Sequence, residues 1–270
     1  MEDRFPPDIA PGEVLPQATP DHDGAPAGAA TARRPGPISV RWLGRIAYRE
    51  AWDLQRRLAE DRIADEIGDQ LLLLEHDPVL TLGRYADEGH VLAGADELRR
   101  RNIEVIRVER GGEVTYHGPG QLVAYPILKL SQNGLLLRPL VRALEAAMIE
   151  TCRVLGVVAG RRDGHPGCWC DADGDAPRKI GALGIRVQRG VSYHGIAMNI
   201  TVDLADFRLI DPCGMPGVES TSVAREAGWQ DLAPDTNTVA RAAAIFAPSL
   251  ARHLGVGLTG DLPFPGRTAA

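Results

Sequence analysis

The chain has 270 residues, of which 44% are hydrophobic, 5% aromatic and 24% charged, and its formal net charge is −6. This length supports one sizeable aliphatic core, which we interpret as one catalytic domain. Four cysteines in a chain of this length argue against a disulfide-rich secreted domain. The absence of an apolar run of about 18 residues argues against a membrane protein. The acidic balance argues against a general nucleic-acid-binding protein, because such proteins need a basic face for phosphates.

Residues 1–37 differ in composition from the rest of the chain, since they hold eight of the twenty prolines together with scattered acidic residues and glycines. Such a segment cannot bury enough apolar surface to fold, so we predict a disordered leader. A transit peptide would be richer in arginine and poorer in acidic residues, and no signal-peptide pattern is present. The expected location is therefore the cytoplasm.

The first half of the predicted domain combines strands with one helix. Apolar residues among charges over residues 46–67 predict an amphipathic helix that Gly68 ends. The apolar positions of this helix are Leu54, Leu58 and Ile63. Short apolar runs predict four strands, at 38–43, 70–75, 103–108 and 121–128.

A second helix is predicted to begin near Pro139 and to end at Gly156. Its apolar stripe has helical spacing and consists of Leu140, Leu144, Met148, Cys152 and Leu155. Cys152 is therefore predicted to lie in the core.

The C-terminal half adds a hairpin and a third helix. Segments 179–187 and 191–200 flank a short turn with glycine, which indicates two antiparallel strands. Residues 237–254 predict a helix kinked at Pro248 and packed through Val239, Ile245, Phe246 and Leu250. Together the elements predict an α+β fold with a mixed or antiparallel sheet flanked by helices.

A loop rich in polar residues and glycine precedes the strand at 121–128. It runs Arg110-Gly111-Gly112-Glu113-Val114-Thr115-Tyr116-His117-Gly118-Pro119-Gly120-Gln121. A rigid strand would hold this loop so that Arg110, Thr115, Tyr116 and His117 line a pocket. The alternative is that Gly111-Gly112 only makes a hairpin turn and that His117 is a core imidazole.

Two further segments carry reactive side chains. Lys179 begins the run Lys179-Ile180-Gly181-Ala182-Leu183-Gly184-Ile185-Arg186, which has strand character. Cys213 lies between prolines and glycines in Ile210-Asp211-Pro212-Cys213-Gly214-Met215-Pro216-Gly217. An irregular loop of this kind is where an accessible nucleophile is displayed.

The three segments resemble the lipoyl(octanoyl) transferases, also called lipoate-protein ligase B, whose signature is R-G-G-x-x-T-Y-H-G-P-G-Q, then K-I-x-x-L-G-I-R, then P-C-G. Segments 78–84, 167–169 and 192–200 are also similar to the family, so the resemblance covers roughly residues 38 to 255. It implies the fold of biotin and lipoate ligases, related to class II aminoacyl-tRNA synthetases. The boundaries that follow are a catalytic domain over 38–255 and a C-terminal tail over 256–270.

The resemblance implies transfer of octanoyl from octanoyl-acyl carrier protein to a lysine of lipoyl domains, through an acyl-thioester on Cys213. The donor is phosphopantetheine-linked, and the acceptors are 2-oxoacid dehydrogenase E2 subunits and the glycine cleavage H protein. No cofactor, metal, nucleic acid or membrane is implied. The implied catalytic residues are Cys213 and Lys179, and the implied substrate-binding residues are Arg110, Gly111, Gly112, Glu113, Val114, Thr115, Tyr116, His117, Ala182, Leu183, Gly184, Gly195, Ile196 and Ala197.

Lys179 and Cys213 are expected to form an ammonium-thiolate pair. A thiol with an unperturbed pKa of about 8.5 is mostly protonated at pH 7, and a nearby opposite charge lowers such a pKa by about 1 to 3 units. Glu113 stands where the family usually has glutamine, and it brings an extra negative charge whose orientation decides whether it affects this pair.

Three alternatives remain at this point. A lipoate or biotin ligase of the same fold would activate its acid with ATP and would not need Cys213. A metal-binding module would use His165, Cys168 and Cys170, although two cysteines that alternate on a strand point to one face and no fourth ligand is evident. A Cys-His hydrolase would use Cys213 and His117, with a third orienting residue that the sequence does not identify.

Overall fold

The computed structural model describes residues 36–133, 135–211, 218–229 and 236–263. All but the last two residues of the predicted leader, the end of the predicted tail from residue 264, and Cys213 lie outside the described residues. The helices within the described part are α1 (Tyr48–Ile63), α2 (Ala95–Arg100), α3 (Leu137–Val154), α4 (Val223–Glu226) and α5 (Thr236–Leu254). None of them combines the length and apolarity that a membrane crossing requires.

The strands in chain order are β1 (Ile38–Ile46), β2 (Gln70–His76), β3 (Val79–Leu82), β4 (Glu104–Arg107), β5 (Val114–His117), β6 (Gln121–Ile127), β7 (Gly160–Arg162), β8 (His165–Cys170), β9 (Arg178–Gln188), β10 (Val191–Asn199), β11 (Glu219–Ser220) and β12 (Leu258–Asp261). The main sheet has the order β12-β1-β2-β6-β10-β9-β8-β7, with β11 beside β9. Strands β12, β1 and β2 run parallel, whereas β2, β6, β10, β9, β8 and β7 pair antiparallel. The predicted α+β fold with a mixed sheet is confirmed.

Helices cover both faces of the main sheet, and the leucine run of β2 reflects this. Leu71 and Leu73 face α3 and α5, whereas Leu72 and Leu74 face α1, and all four are fully buried. A strand covered on both faces has no solvent side, so its sequence is continuously apolar. The predicted stripe of α3 is confirmed from Leu140 to Cys152, since those four side chains are fully buried.

The packing face of α1 differs from the predicted one. Its buried residues include Ala51, Gln55 and Ala59, while the predicted Leu54, Leu58 and Ile63 are only partly buried beside them. Small alanine side chains allow the helix axis to come close to the sheet, and the longer leucines then cover the flanks of the contact.

A second, three-stranded sheet has the order β4-β3-β5 and carries the loop that holds Arg110. The strand predicted at 103–108 is β4 of this small sheet and not part of the main layer. Helix α2 and a 3-10 turn at Leu204–Leu209 pack on the small sheet through an apolar cluster that includes Leu80, Leu98 and Tyr116. The antiparallel pair predicted for 179–187 and 191–200 is confirmed as β9 and β10.

Candidate active site

A narrow cavity lies where the Arg110 loop and β5 face the β9–β10 hairpin. The centre of a water molecule can occupy about 50 Å³ of this cavity. Its walls combine backbone, small side chains and a few polar groups. The lining residues are Tyr48, Arg110, Gly112, Glu113, Val114, Thr115, His117, Tyr125, Lys179, Ala182, Leu183, Gly184, His194, Gly195, Ile196 and Ala197.

Most of the residues expected at the site meet in this cavity, including Lys179 and all the expected residues of β9 and β10. Two do not line it. Tyr116 points to the other face of β5 and packs edge-on against Phe207 at 5.5 Å between ring centroids. The Gly111 N–H donates to the Ile185 carbonyl at 3.3 Å and so fastens the loop to β9. Cys213 lies outside the described residues.

Three lining residues were absent from the expected set, namely Tyr48, Tyr125 and His194. Tyr48 begins α1 and Tyr125 lies within β6, so neither belongs to a polar loop. Their place in the cavity depends on how α1 and β6 approach the small sheet, which no local pattern shows. His194 lies in the family-like segment 192–200 and in the predicted strand 191–200, but it was not among the expected site residues.

Arg110 holds the loop against the small sheet. Its guanidinium donates to the Thr81 carbonyl at 2.5 Å and to the Thr81 hydroxyl at 2.9 Å, and the residue is 8% exposed. A side chain at Gly184 would leave no room for this loop, because a Cβ there would lie 2.7 Å from the Gly111 carbonyl oxygen and 3.3 Å from Arg110 Cδ. Because Gly184 has no side chain, the buried Arg110 charge and the backbone of Gly111 can lie directly against the cavity wall.

His117 is held as one neutral tautomer by a chain of buried amides. Its Nδ1 lies 2.7 Å from Gln121 Oε1, and Gln121 Nε2 donates both to the Tyr116 carbonyl at 3.1 Å and to Asn199 Oδ1 at 2.9 Å. Because both hydrogens of the Gln121 amide are used, its oxygen must accept, so His117 Nδ1 carries the proton. Burial, with the neighbouring His76, holds the pKa of His117 well below its ordinary value.

A second neutral imidazole supports Tyr125. His76 Nδ1 donates to the Ile46 carbonyl at 3.1 Å, which leaves Nε2 to accept from the Tyr125 hydroxyl at 2.7 Å. Burial lowers the pKa of His76 to about 4. Tyr48 stacks on His117 at 5.8 Å, so aromatic and imidazole rings form a rigid wall of the cavity.

Lys179 lies at one end of β9 and is 8% exposed. Its Nζ lies 5.0 Å from the ring centroid of Trp169, which pairs with it across β8 and β9. Thr221 donates its N–H to the Lys179 carbonyl at 2.9 Å, and Ser220 of β11 pairs with Lys179. The chain segment that follows Cys213 is therefore joined to the strand of the lysine.

The segment that precedes Cys213 is linked through His90 to a residue of the cavity wall. The Asp211 N–H donates to the His90 carbonyl at 2.8 Å, and His90 Nδ1 lies 3.4 Å from Glu113 Oε2. Glu113 also accepts from the Asp87 N–H at 3.3 Å, so its carboxylate is turned toward the Asp87–His90 turn. Glu113, which stands where the family usually has glutamine, is accommodated by these contacts with the Asp87–His90 turn.

The residues considered for a metal site diverge. Cys168 and Cys170 are buried in one apolar cluster with α3, as expected for alternating residues of a strand, and burial raises the pKa of Cys170 to about 12. His165 instead contacts Trp169, with ring centroids 6.2 Å apart. Among the described residues, no group of three or more His, Cys, Asp and Glu side chains is arranged to hold a metal ion.

Comparisons with known proteins identify the family. Residues 47–242 match the family model of the lipoyl protein ligase A/B catalytic domain. An octanoyltransferase of Chloroflexus aurantiacus is 49% identical over 192 residues, which cover 71% of this chain and 85% of the relative. An octanoyltransferase of Acidobacterium capsulatum is 47% identical over 197 residues, which cover 70% of this chain and 80% of the relative.

The fold has solved counterparts. A bi-partite lipoate protein ligase from Thermoplasma acidophilum aligns with a TM-score of 0.56 at 16% identity, over 85% of this chain and 87% of the other. The region matched by the family model, residues 47–242, contains every residue that lines the cavity. The chain belongs to the lipoyl(octanoyl) transferase family and is an acyltransferase.

Proposed function

We propose that the protein transfers octanoyl from octanoyl-acyl carrier protein, where a phosphopantetheine arm carries it as a thioester, to the lysine ε-amine of lipoyl domains. Cys213 is the nucleophile and Lys179 handles the protons. The acceptors are lipoyl domains of 2-oxoacid dehydrogenase E2 subunits and the glycine cleavage H protein. The observation that carries the proposal is a cavity walled by small residues of β9 and β10 with Lys179 among its lining residues.

In the first step the Cys213 thiolate attacks the carbonyl carbon of the donor thioester. A new C–S bond forms, the C–S bond to the phosphopantetheine sulfur breaks, and the Lys179 ammonium gives a proton to the departing thiolate. In the second step the neutral amine of the acceptor lysine attacks the Cys213 thioester and forms the amide. Lys179 takes the proton that the amine loses, and the Cys213 thiolate is released.

The described segments on both sides of Cys213 support its role. Asp211, two residues before it, is joined through His90 to Glu113 of the cavity wall. Ser220, seven residues after it, pairs with Lys179. Two residues of extended chain span at most about 7 Å, and this short link from Asp211 supports the role that we propose for the thiol.

Small residues fit the wall to an acyl chain. Ala182 and Gly184 on β9 pair with Ala197 and Gly195 on β10, and all four line the cavity. Side chains this small leave a groove along the two strands in which an unbranched apolar chain can bury its surface. Conversion of a thioester to an amide is downhill, so the transfer needs no ATP.

The direct test is intact-protein mass measurement after incubation with octanoyl-acyl carrier protein in the absence of ATP and acceptor. The wild type should gain one octanoyl group, and Cys213→Ser should gain no hydroxylamine-labile acyl group. Later addition of a lipoyl domain should move the group to the domain. A wild type that becomes acylated only with free acid and ATP would instead indicate a ligase.

The role of Lys179 is tested by alkylation of the thiol. At pH 7, Lys179→Met should slow reaction with iodoacetamide about tenfold or more, because the thiol pKa returns toward about 8.5. Cys152, Cys168 and Cys170 are buried, so native alkylation reports on Cys213. Lys129→Met removes the chain's other lysine, which pairs with Asp65 away from the cavity, and should leave the rate unchanged. Equal rates for wild type and Lys179→Met would refute the pair.

A further inference from the structure

His194 lines the cavity but has no part in the proposed transfer step. The residue is 1% exposed, and its backbone has a left-handed φ of 56°. Among the residues that the structure describes, neither Nδ1 nor Nε2 of its ring has a hydrogen-bond partner. A left-handed conformation outside glycine and a buried imidazole without partners both cost folding free energy, so such a combination points to a ligand.

The surrounding residues hold the ring in this position. The His194 N–H donates to Gln55 Oε1 of α1 at 2.9 Å. The imidazole stacks on Tyr193 at 5.0 Å and meets Tyr125 edge-on at 6.3 Å. Because the backbone hydrogen bond and the two ring contacts constrain the imidazole, the ring nitrogens have fixed directions.

His194 lies at the opposite end of the cavity wall from Lys179. It pairs with Ile185, which is six positions after Lys179 on β9. A strand rises about 3.3 Å per residue, so the two backbone positions are at most about 20 Å apart. An extended eight-carbon chain is about 9 Å long, since each C–C bond of about 1.5 Å advances a zigzag chain by about 1.25 Å.

The chemistry of the ring restricts what can bind it. Burial and the Arg110 charge lower the pKa of His194 to about 3, so the imidazole is neutral and offers one donor and one acceptor. A hydroxyl group or a water molecule satisfies either nitrogen, whereas the terminal methyl of a saturated acyl chain satisfies neither.

We propose that His194 forms a polar floor of the acyl cavity that binds one hydroxyl group. The hydroxyl comes either from a water molecule held behind the methyl end of an octanoyl chain or from the end of an ω-hydroxylated acyl chain. A chain one carbon longer displaces the water with a methyl group and leaves His194 without a partner. This inference rests on the proposed function, because it assigns the far end of the same acyl site.

Two acyl chains of equal length separate polarity from size. Nonanoyl and 8-hydroxyoctanoyl have the same number of non-hydrogen atoms in the chain beyond the carbonyl oxygen, and they differ in a terminal methyl or hydroxyl. We would load acyl carrier protein with octanoyl, nonanoyl or 8-hydroxyoctanoyl and measure kcat/KM for transfer to a lipoyl domain. The wild type should use 8-hydroxyoctanoyl about tenfold better than nonanoyl.

Variants at His194 should reduce or remove this preference. His194→Gly and His194→Asn both tolerate a positive φ. Glycine removes both ring nitrogens, so nonanoyl should become at least as good as 8-hydroxyoctanoyl. Asparagine keeps a polar atom only near the position of Nδ1, so it should reduce the preference for 8-hydroxyoctanoyl. Tyr193→Phe is the matched control, since it lies beside His194 outside the cavity wall and should keep the wild-type ratio. Because each ratio compares substrates on one protein, a partial loss of stability cancels.

The wild-type ratio alone decides the inference if both His194 variants fail to fold. A purely apolar floor would make burial of the hydroxyl unfavourable, so a wild type that prefers nonanoyl overturns the proposal. Absence of octanoyl transfer would instead count against the proposed function. In that case, calorimetric binding of free nonanoate and 8-hydroxyoctanoate makes the same comparison without catalysis.

The source of the hydroxyl follows from the octanoyl substrate. A kcat/KM for octanoyl above those for both longer chains would favour water as the natural occupant. Equal kcat/KM values for octanoyl and 8-hydroxyoctanoyl would favour the chain hydroxyl.

Discussion

The orientation of one amide, Gln121, is determined by groups on either side of it. The Thr221 carbonyl can only accept, so Asn199 presents Nδ2 to it at 2.9 Å and turns Oδ1 toward Gln121. Gln121 must then present Nε2 to Asn199 and Oε1 to His117. The tautomer of His117 thus follows from backbone carbonyls that lie beyond its immediate neighbours.

Gln121→Glu tests this chain of hydrogen bonds with almost no change in shape. The new carboxylate would face the Tyr116 carbonyl and Asn199 Oδ1, which are both acceptors in a buried position. We expect the free energy of unfolding to fall by about 2 to 4 kcal/mol, because two buried acceptors lose their donor and a buried charge is added. Urea unfolding at pH 7.5 measures the loss.

Gln188→Glu is the isosteric control, because Gln188 is exposed at the end of β9. It should change the free energy of unfolding by no more than about 0.5 kcal/mol. Similar losses for the two variants would mean that the amide network does not impose the orientation of Gln121.

At the scale of elements, the strands with continuous or alternating apolar patterns could be predicted, and so could the helices α3 and α5. Their burial follows from local periodicity, except that Ile245 of α5, which was predicted to pack, is only partly buried. The packing face of α1 could not, because it depends on how closely Ala51 and Ala59 let the helix approach the sheet. The segment from Arg110 to His117 was recognisable from its composition, although it was predicted as a loop and its second half, Val114–His117, forms β5 by pairing with β3. Tyr48 and Tyr125 reach the cavity only through contacts distant in sequence. Nothing local predicts the left-handed backbone of His194.

Strand β12 is an element that the sequence did not predict. Its residues Leu258–Asp261 fall in the predicted tail, yet they pair in parallel with β1 at the edge of the main sheet. The strand has little apolar character of its own, so its formation depends on the partner strand. Gly260 has a φ of +88° there, and a Cβ at this position would lie 2.4 Å from the Val40 carbonyl oxygen.

Gly260→Ala should therefore destabilise the domain. A positive φ costs an alanine about 1 to 2 kcal/mol, and the contact with Val40 adds to this, so we expect a loss of about 2 to 3 kcal/mol in urea unfolding. Gly257→Ala is the matched control, since a Cβ there would meet only the Pro37 side chain at 3.8 Å. It should be neutral within about 0.5 kcal/mol. If the two variants were equally stable, β12 would not contribute to the folded domain.

For the described domain as a whole, the two faces of the main sheet serve different purposes. The face under α3 and α5 is an apolar core, with fully buried side chains such as Leu144, Met148 and Phe246. On the side of α1 lie the buried imidazoles of His76, His117 and His194, because Tyr48 of α1 contacts the first two and Gln55 of α1 accepts from the His194 N–H. Burial of these imidazoles destabilises the folded chain, and the apolar core on the opposite face offsets this loss. The size of the loss depends on pH.

The buried imidazoles make the fold sensitive to mild acid. Burial lowers the pKa of His76 to about 4, of His194 to about 3, and of His117 well below its ordinary value of 6.5. Since the unfolded chain binds protons near pH 6.5 and the folded chain does not, stability is fully present above pH 6.5 and falls as the pH drops toward 4.

Each of these histidines should cost about 1.4 kcal/mol between pH 7.5 and pH 5.5, which gives about 4 kcal/mol for the three. Carboxylates with a lowered pKa, such as Asp65, Glu150 and Glu226, lose their contribution only at lower pH, so this interval isolates the histidines. Urea unfolding at both pH values measures the loss, and His194→Asn should reduce it by about a third. A free energy of unfolding that stays constant over this interval, or NMR titration of the three rings near pH 6.5, would show that the cavity wall is open to protons in the folded state.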